Sequence, residues 1–175
     1  MSVDFYILGL IQNLRCGFLD FLMPKITMLG NAGLIWIAAA LMLCIFKKHR
    51  KTGIMILCGL LIGLIICNLI LKPLIARPRP CWLDTSVQLL IDVPQDYSFP
   101  SGHTLAAFTS AFILMYRKSK LSFIALPLAV LIAFSRLYLY VHFPSDVLGG
   151  IITATLISAA VIYFERKNSA DSRGK

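Results

Sequence analysis

Long apolar runs alternate with short charged ones along this chain. Ile26–Phe46, Thr52–Leu71, His103–Tyr116, Leu121–Ser135 and Val147–Phe164 contain no Asp, Glu, Lys or Arg. A bilayer core takes about 20 apolar residues as a helix, so these runs predict five transmembrane helices. The first residues read differently. Ile7, Leu10, Ile11, Leu14, Phe18, Phe21 and Leu22 follow an i, i+3, i+4 stripe that Asp4, Gln12, Asn13, Arg15 and Asp20 interrupt. That pattern predicts one amphipathic helix lying in the membrane interface. No Lys or Arg precedes its apolar residues, so it does not read as a secretory signal. The expected fold class is all-α: a polytopic membrane helix bundle of about five transmembrane helices plus an N-terminal interfacial helix. It forms a single domain, with the interfacial helix over 1–25, a transmembrane core over 26–164 and a cytoplasmic tail over 165–175.

Composition excludes the soluble alternatives. Of 175 residues, 58% are hydrophobic and 14% charged, against roughly 45–50% and 25% in soluble domains. Mean hydropathy is +0.81. The net charge of +9 would suggest nucleic acid in a soluble protein; in a membrane protein it reports topology and contact with anionic bilayer lipid. No nucleic-acid partner is expected. Five cysteines form no CxxC pair, so neither a zinc site nor a disulfide framework is indicated, and a Cys16–Cys81 bridge is not expected.

The charges also set sidedness. Lys47, Lys48, Arg50 and Lys51 follow the first span; Arg117, Lys118 and Lys120 separate the third and fourth; Arg166, Lys167, Arg173 and Lys175 follow the fifth. Alternating spans place all of them on one face, the cytoplasmic one. The protein is therefore expected in the cell membrane as a multi-pass chain. Its N-terminus, the loop Lys72–Pro100 and the segment around His142 lie outside.

Three clusters on that outer face carry candidate chemistry. In Lys72-Pro-Leu-Ile-Ala-Arg-Pro-Arg79-Pro80, prolines hold Arg79 in an extended, rigid presentation; the plainer alternative is a snorkelling basic cap. In Pro100-Ser-Gly-His103, Ser101 is a helix N-cap candidate and Gly102 permits close backbone approach. The free amides of a helix start hold anions, and a first-turn histidine could donate a proton there; the alternative is an ordinary capped helix. In Ser135-Arg136-x5-His142-x3-Asp146, an arginine at membrane depth marks a functional site by default. Asp146 can accept the Nδ1 proton of His142 and leave Nε2 nucleophilic. Pro144 makes this stretch a loop running into the fifth span; the alternative is a structural ion pair. Three cations against one acid suit a polyanionic group such as phosphate.

Together the three motifs resemble the three-part signature of the phosphatidic acid phosphatase type 2 superfamily. That family includes membrane lipid phosphatases, sugar-phosphate phosphatases and soluble vanadium haloperoxidases; the spans here point to the membrane branch. The resemblance implies that His142 is the nucleophile, that Asp146 orients it, and that His103 protonates the leaving oxygen and later activates water. Lys72, Arg79, Ser101, Gly102 and Arg136 would bind the phosphoryl oxygens, with no metal and no cofactor. Arg77 reads as a contact behind these ligands or with the headgroup. The expected substrate is a membrane lipid phosphate or pyrophosphate, with undecaprenyl pyrophosphate favoured and phosphatidylglycerophosphate and phosphatidic acid as alternatives. A non-enzymatic phospholipid carrier is the reading from another class. The sequence does not speak to oligomeric state.

Overall fold

The computed structural model describes residues 3–171 and is all-helical over them. Seven helices have ten residues or more: α1 (Val3–Gln12), α2 (Gly17–Leu29), α3 (Leu34–Ile45), α4 (Arg50–Leu64), α7 (Gly102–Tyr116), α8 (Ser122–Tyr138) and α9 (Pro144–Asp171). Two single-turn helices, α5 (Lys72–Ile75) and α6 (Pro80–Leu83), sit between α4 and the loop that leads to α7. The central element is α7, which packs against α3, α4, α8 and α9. Close approach there needs small residues. A Cβ on Gly63 of α4 would stand 2.5 Å from Leu105 Cδ2, and one on Gly150 of α9 would stand 2.9 Å from the Ser101 carbonyl. The outer surface is paved with exposed apolar side chains, among them Ile45, Leu69, Leu74 and Phe123, which suits lipid and not water.

Two expectations need correction. The interfacial helix predicted across Ile7–Leu22 is divided, because the backbone is extended at Cys16. The first piece, α1, buries Leu8 and Ile11 and packs against α8 and α9, while Tyr6 and Leu10 point outward. The run Ile26–Phe46, predicted as one span, is also broken. A short 3₁₀ turn at Asn31–Gly33 puts Ala32 and Gly33 at φ 49° and 67°, and the helices on either side meet at 44°. Hydropathy counts charges and misses backbone signals; Gly30-Asn-Ala-Gly33 is a left-handed turn sequence inside an uncharged run.

The other runs agree more closely with their helices. Thr52–Leu71 is α4 continued by a π-helical stretch, Ile65–Leu71, and α7 begins one residue before His103. Among the described residues, Arg50–Leu83 and Pro144–Ala170 are long and apolar enough to cross a bilayer, and the bent pair Gly17–Leu29 and Asn31–Ile45 makes a third if counted as one. With 15 and 17 residues, α7 and α8 span about 22 and 26 Å, short of a core of about 30 Å. The tail expected from residue 165 continues as helix to Asp171; Arg173 and Lys175 lie outside the described residues. At the end of the bundle away from His142, Glu165 meets Lys51 at 3.9 Å and Arg117 at 4.0 Å. All three basic clusters are thereby represented at one end, since Arg166 also bonds Tyr116 there.

Candidate active site

The opposite end holds a cavity of about 900 Å³ between the α2–α3 break, α4, α7 and the loop before α7. Lys72, Arg79, Gly102, His103, Arg136 and His142 all line it. Each reaches it by a local device. Lys72 follows the π-helical stretch, whose extra residue per turn shifts the register of the helix end. Beyond α5 the chain reverses at Ala76, which has φ 47°, and Arg79 is extended between Pro78 and Pro80. Arg136 projects from the last turn of α8. Tyr140, at φ 58°, turns the chain after α8, and Pro144 starts α9, so His142 sits in the turn between them. Pro suits a first helical position, where no N–H is required.

The hydrogen bonds assign the His142 tautomer. Its Nε2 lies 3.1 Å from Arg79 Nη1. A guanidinium only donates, so Nε2 is the acceptor and the ring proton belongs on Nδ1. That Nδ1 faces Asp146 Oδ2 at 3.5 Å, and no hydrogen bond is closed there. Asp146, 0% exposed, lies behind His142 and not on the cavity wall. Its Oδ2 accepts the Phe143 amide at 2.8 Å and its Oδ1 accepts Arg77 Nη1 at 2.6 Å. Burial, followed by the charges of Arg136, Arg79 and Lys72, holds the pKa of His142 well below 6.5. The ring is therefore neutral, as a nucleophile must be.

Arg79 is 2% exposed and fully engaged. It donates to the Val141 carbonyl at 2.7 Å, and to the Asp96 carbonyl and Oδ1, each at 2.7 Å. Asp96 also accepts Lys72 Nζ. Arg136 Nη1 donates to Thr27 Oγ1 at 2.6 Å, while its buried Nε has no partner. His103 Nε2 lies 2.9 Å from Asn31 Oδ1, on the α2–α3 break, so this nitrogen carries a proton and donates it to Asn31.

Ser101, expected among the phosphate-binding residues, is buried at the start of α7. It is the N-cap of α7: its Oγ accepts from Thr104 Oγ1 at 2.9 Å and from the Thr104 amide at 3.5 Å, and its own amide donates to the Asp146 carbonyl. It does not line the cavity; Gly102 does. A Cβ on Gly102 would meet only Cys67 Sγ, at an ordinary 3.7 Å, so packing within the protein does not demand glycine there. Sequence reasoning missed Asp96, Asn31 and Thr27, and underweighted Arg77. Asp92 and Asp96 both line the cavity, so the charge balance is three cations against two carboxylates at the wall, not three against one. Among the described residues no three His, Cys, Asp or Glu side chains converge as metal ligands.

Comparison with known proteins bears on the same residues. Residues 53–170 match the PAP2 superfamily. The chain belongs to that superfamily. It is 35% identical to the undecaprenyl-diphosphatase of Sulfolobus acidocaldarius over 75% of this chain and 64% of that protein. It is 34% identical to undecaprenyl-diphosphatase BcrC of Bacillus subtilis over 54% and 48%. It thus spans less than two thirds of the length of these two relatives. With phosphatidylglycerophosphatase B of Bacillus subtilis it shares 31% identity over 85% of this chain and 70% of that one. The crystal structure of the transmembrane PAP2-type phosphatidylglycerolphosphate phosphatase from Bacillus subtilis superposes with a TM-score of 0.77 at 30% identity, over 95% of this chain and 86% of that one. That of Aquifex aeolicus LpxE superposes at 0.81 and 28% identity, over 93% and 96%. The helical scaffold is therefore a PAP2 feature of this chain.

Proposed function

We propose that the protein hydrolyses a membrane lipid phosphate or pyrophosphate through a phosphohistidine intermediate. The observation that carries this is the unprotonated Nε2 of His142, aimed into a cavity whose wall also carries Lys72, Arg79, Arg136 and His103. His142 Nε2 attacks phosphorus, and the bond from phosphorus to the leaving oxygen breaks. His103, on the same cavity wall, gives its proton to that oxygen. Asp146 closes on Nδ1–H and stabilises the cation formed on His142; such bonds tighten on substrate binding. Water then attacks phosphorus, His103 takes its proton, the P–N bond breaks and phosphate leaves. Lys72, Arg79, Arg136 and the Gly102 amide neutralise the equatorial oxygens, the charge stabilisation that phosphoryl transfer requires. Ser101 acts one step back, as the cap that orients the first amides of α7.

The sidedness follows if the chain crosses five times, by the α2–α3 pair, the α4 stretch, α7, α8 and α9. The meeting of Lys51, Arg117 and Glu165 at one end favours that count, since those residues lie at the start of α4, the end of α7 and near the end of α9. That end is cytoplasmic by its Lys and Arg excess. Enclosure of α7 by four neighbours offsets its short length. The α1 helix lies against the bundle at the outer face.

Undecaprenyl pyrophosphate is the favoured substrate, on the two undecaprenyl-diphosphatase relatives. Phosphatidylglycerophosphate is the second, because phosphatidylglycerophosphatase B of Bacillus subtilis matches 85% of this chain. A panel of isoprenoid pyrophosphates and phospholipid monophosphates, assayed in detergent for phosphate release with excess EDTA, tests substrate and metal independence together. Activity that disappears with EDTA and returns with Mg²⁺ refutes catalysis by fixed cations alone.

A further inference from the structure

The residues on α1 reach the nucleophile turn. Arg77 Nη2 donates to Asp4 Oδ2 at 2.7 Å, while its Nη1 donates to Asp146 Oδ1 at 2.6 Å and to Ser145 Oγ at 2.7 Å. Asp4 closes the ring from the other side: its Oδ1 accepts the Ser145 amide at 3.0 Å, and its Oδ2 accepts Ser145 Oγ at 2.6 Å. The Arg77 guanidinium lies 4.2 Å above the Phe143 ring, which Phe5 of α1 meets edge-on at 5.2 Å. Arg77 does not line the cavity. It therefore does not face the phosphoryl group, unlike Arg79 two residues on. Asp4 lies outside the PAP2 match at 53–170.

We propose that Asp4 and Arg77 are positioning residues for the nucleophile: α1 holds Arg77, and Arg77 holds the Asp146 carboxylate in the orientation that receives the Nδ1 proton of His142. This rests on the phosphohistidine reading above. The physical need is clear from Asp146 itself. A carboxylate with no exposure is costly unless paired. A lone arginine beside it would cancel the negative charge that His142 requires. Asp4 removes that difficulty, because Asp4, Arg77 and Asp146 together carry one net negative charge next to the imidazole. The fork geometry matters as well: one planar guanidinium spans two carboxylates, with each of its two terminal nitrogens directed at one. Burial pushes the Asp4 pKa up, but the bonds from Ser145 and Arg77 outweigh it and the net effect is downward, so Asp4 keeps its charge at neutral pH.

The test uses the full chain in detergent, a short isoprenoid pyrophosphate as substrate and inorganic phosphate as competing ligand. Native protein, Asp4→Asn, Arg77→Gln and the double variant are compared by burst kinetics, where amplitude counts competent sites and rate reports phosphoenzyme formation. Each single variant should slow the burst about tenfold to a hundredfold, the range expected for a small misplacement of a reacting group. Its amplitude, and the inhibition constant for phosphate, should stay within about twofold of native, because Lys72, Arg79 and Arg136 are untouched. The double variant should lose less than the product of the two single losses, since Asp4 and Arg77 belong to one hydrogen-bonded network. A native burst rate in Asp4→Asn overturns the proposal. So does multiplication of the two losses in the double variant, or a loss of phosphate affinity that matches the loss of rate, which would make Arg77 a phosphate ligand. Asp4→Asn keeps the test decisive if Arg77→Gln fails to fold: it is nearly isosteric and lies on a helix at the bundle's edge. If the native protein itself forms no phosphoenzyme, the proposed hydrolase activity falls first; an active native protein with unaffected variants removes only the role of Asp4 and Arg77.

Discussion

Two carboxylates flank His142, the proposed nucleophile, and the protein holds them in opposite ways. Asp146 has no exposure and is fixed by Arg77 and the Phe143 amide, none of which faces the cavity. Asp96 has a side chain 54% exposed, comes from the loop before α7, and binds Lys72 and Arg79 inside the cavity. The partners of Asp146 cannot be claimed by a substrate. The partners of Asp96 are the cations that the proposed mechanism assigns to the phosphoryl group. One region of the site is therefore wired permanently, around the nucleophile; the other is neutralised provisionally, around the oxyanion cradle. The distinction follows from burial: a buried charge must keep its partners, whereas a half-exposed one can exchange them for water.

The sharpest way to break this comparison is on the permanent side. Asp146→Asn keeps the shape but cannot enforce the Nδ1–H tautomer of His142, and its amide meets Arg77 with less charge. Turnover should fall by about 10⁴, as it does for the corresponding change in a serine protease triad. Burst amplitude measured alongside would separate lost chemistry from lost protein. A variant that keeps more than a few per cent of native turnover would mean that Asp146 only stitches α9 to the nucleophile turn.

His103 lies between the two regions, on the cavity wall but tied to Asn31. General acid catalysis contributes about 10²–10⁴-fold, more for basic leaving groups. His103→Ala should therefore slow phosphoenzyme formation most with an alkyl phosphate monoester. The loss should be much smaller with a pyrophosphate or with nitrophenyl phosphate, whose leaving groups are weaker bases. Single-turnover rates for the three substrates make the measurement. Equal slowing for all of them would reassign His103 to binding phosphate.

Much of the permanent region was legible in the sequence, because it is local. The spacing Arg136-x5-His142-x3-Asp146 falls at a helix end, a turn and a helix start, with Pro144 marking the boundary. Ser101 was legible as a cap for the same reason. What escaped the sequence are pairings between distant segments. Asp4 meets Ser145, Lys72 meets Asp96 and His103 meets Asn31 across 141, 24 and 72 positions. A residue's type and neighbours do not say which remote side chain it will face. Asp92 and Asp96 looked alike as loop acids, and only the tertiary path of the loop directs one to Arg79. The bend at Gly30–Gly33 was a different failure. Its turn residues were visible, but an uncharged run was read by hydropathy alone.

The smallest effect tests the provisional region. Asp96→Asn removes the carboxylate that competes with an incoming phosphoryl group for Lys72 and Arg79. The Asp96 side chain is 54% exposed, and solvent screening limits such a carboxylate to about 1 kcal/mol, so inorganic phosphate should inhibit the variant about two- to fivefold more tightly than native protein. The sign distinguishes it from the Asp146 change, which should weaken the enzyme. Acidity supplies a second check. Burial pushes the Asp96 pKa up, but Lys72 and Arg79 outweigh it and bring it down to about 2. A carboxylate depressed in the folded state stabilises that state above its unfolded pKa, 3.8, and loses this contribution as pH falls toward 2. Between pH 5 and 8 its charge is constant. The ratio of inhibition constants, native to variant, should therefore be flat across that range, whatever the phosphate's own ionisation does to each. A ratio that varies with pH would place another titrating group between Asp96 and the cations. Weaker phosphate binding in Asp96→Asn would show that the carboxylate organises the cradle for the substrate and does not compete with it.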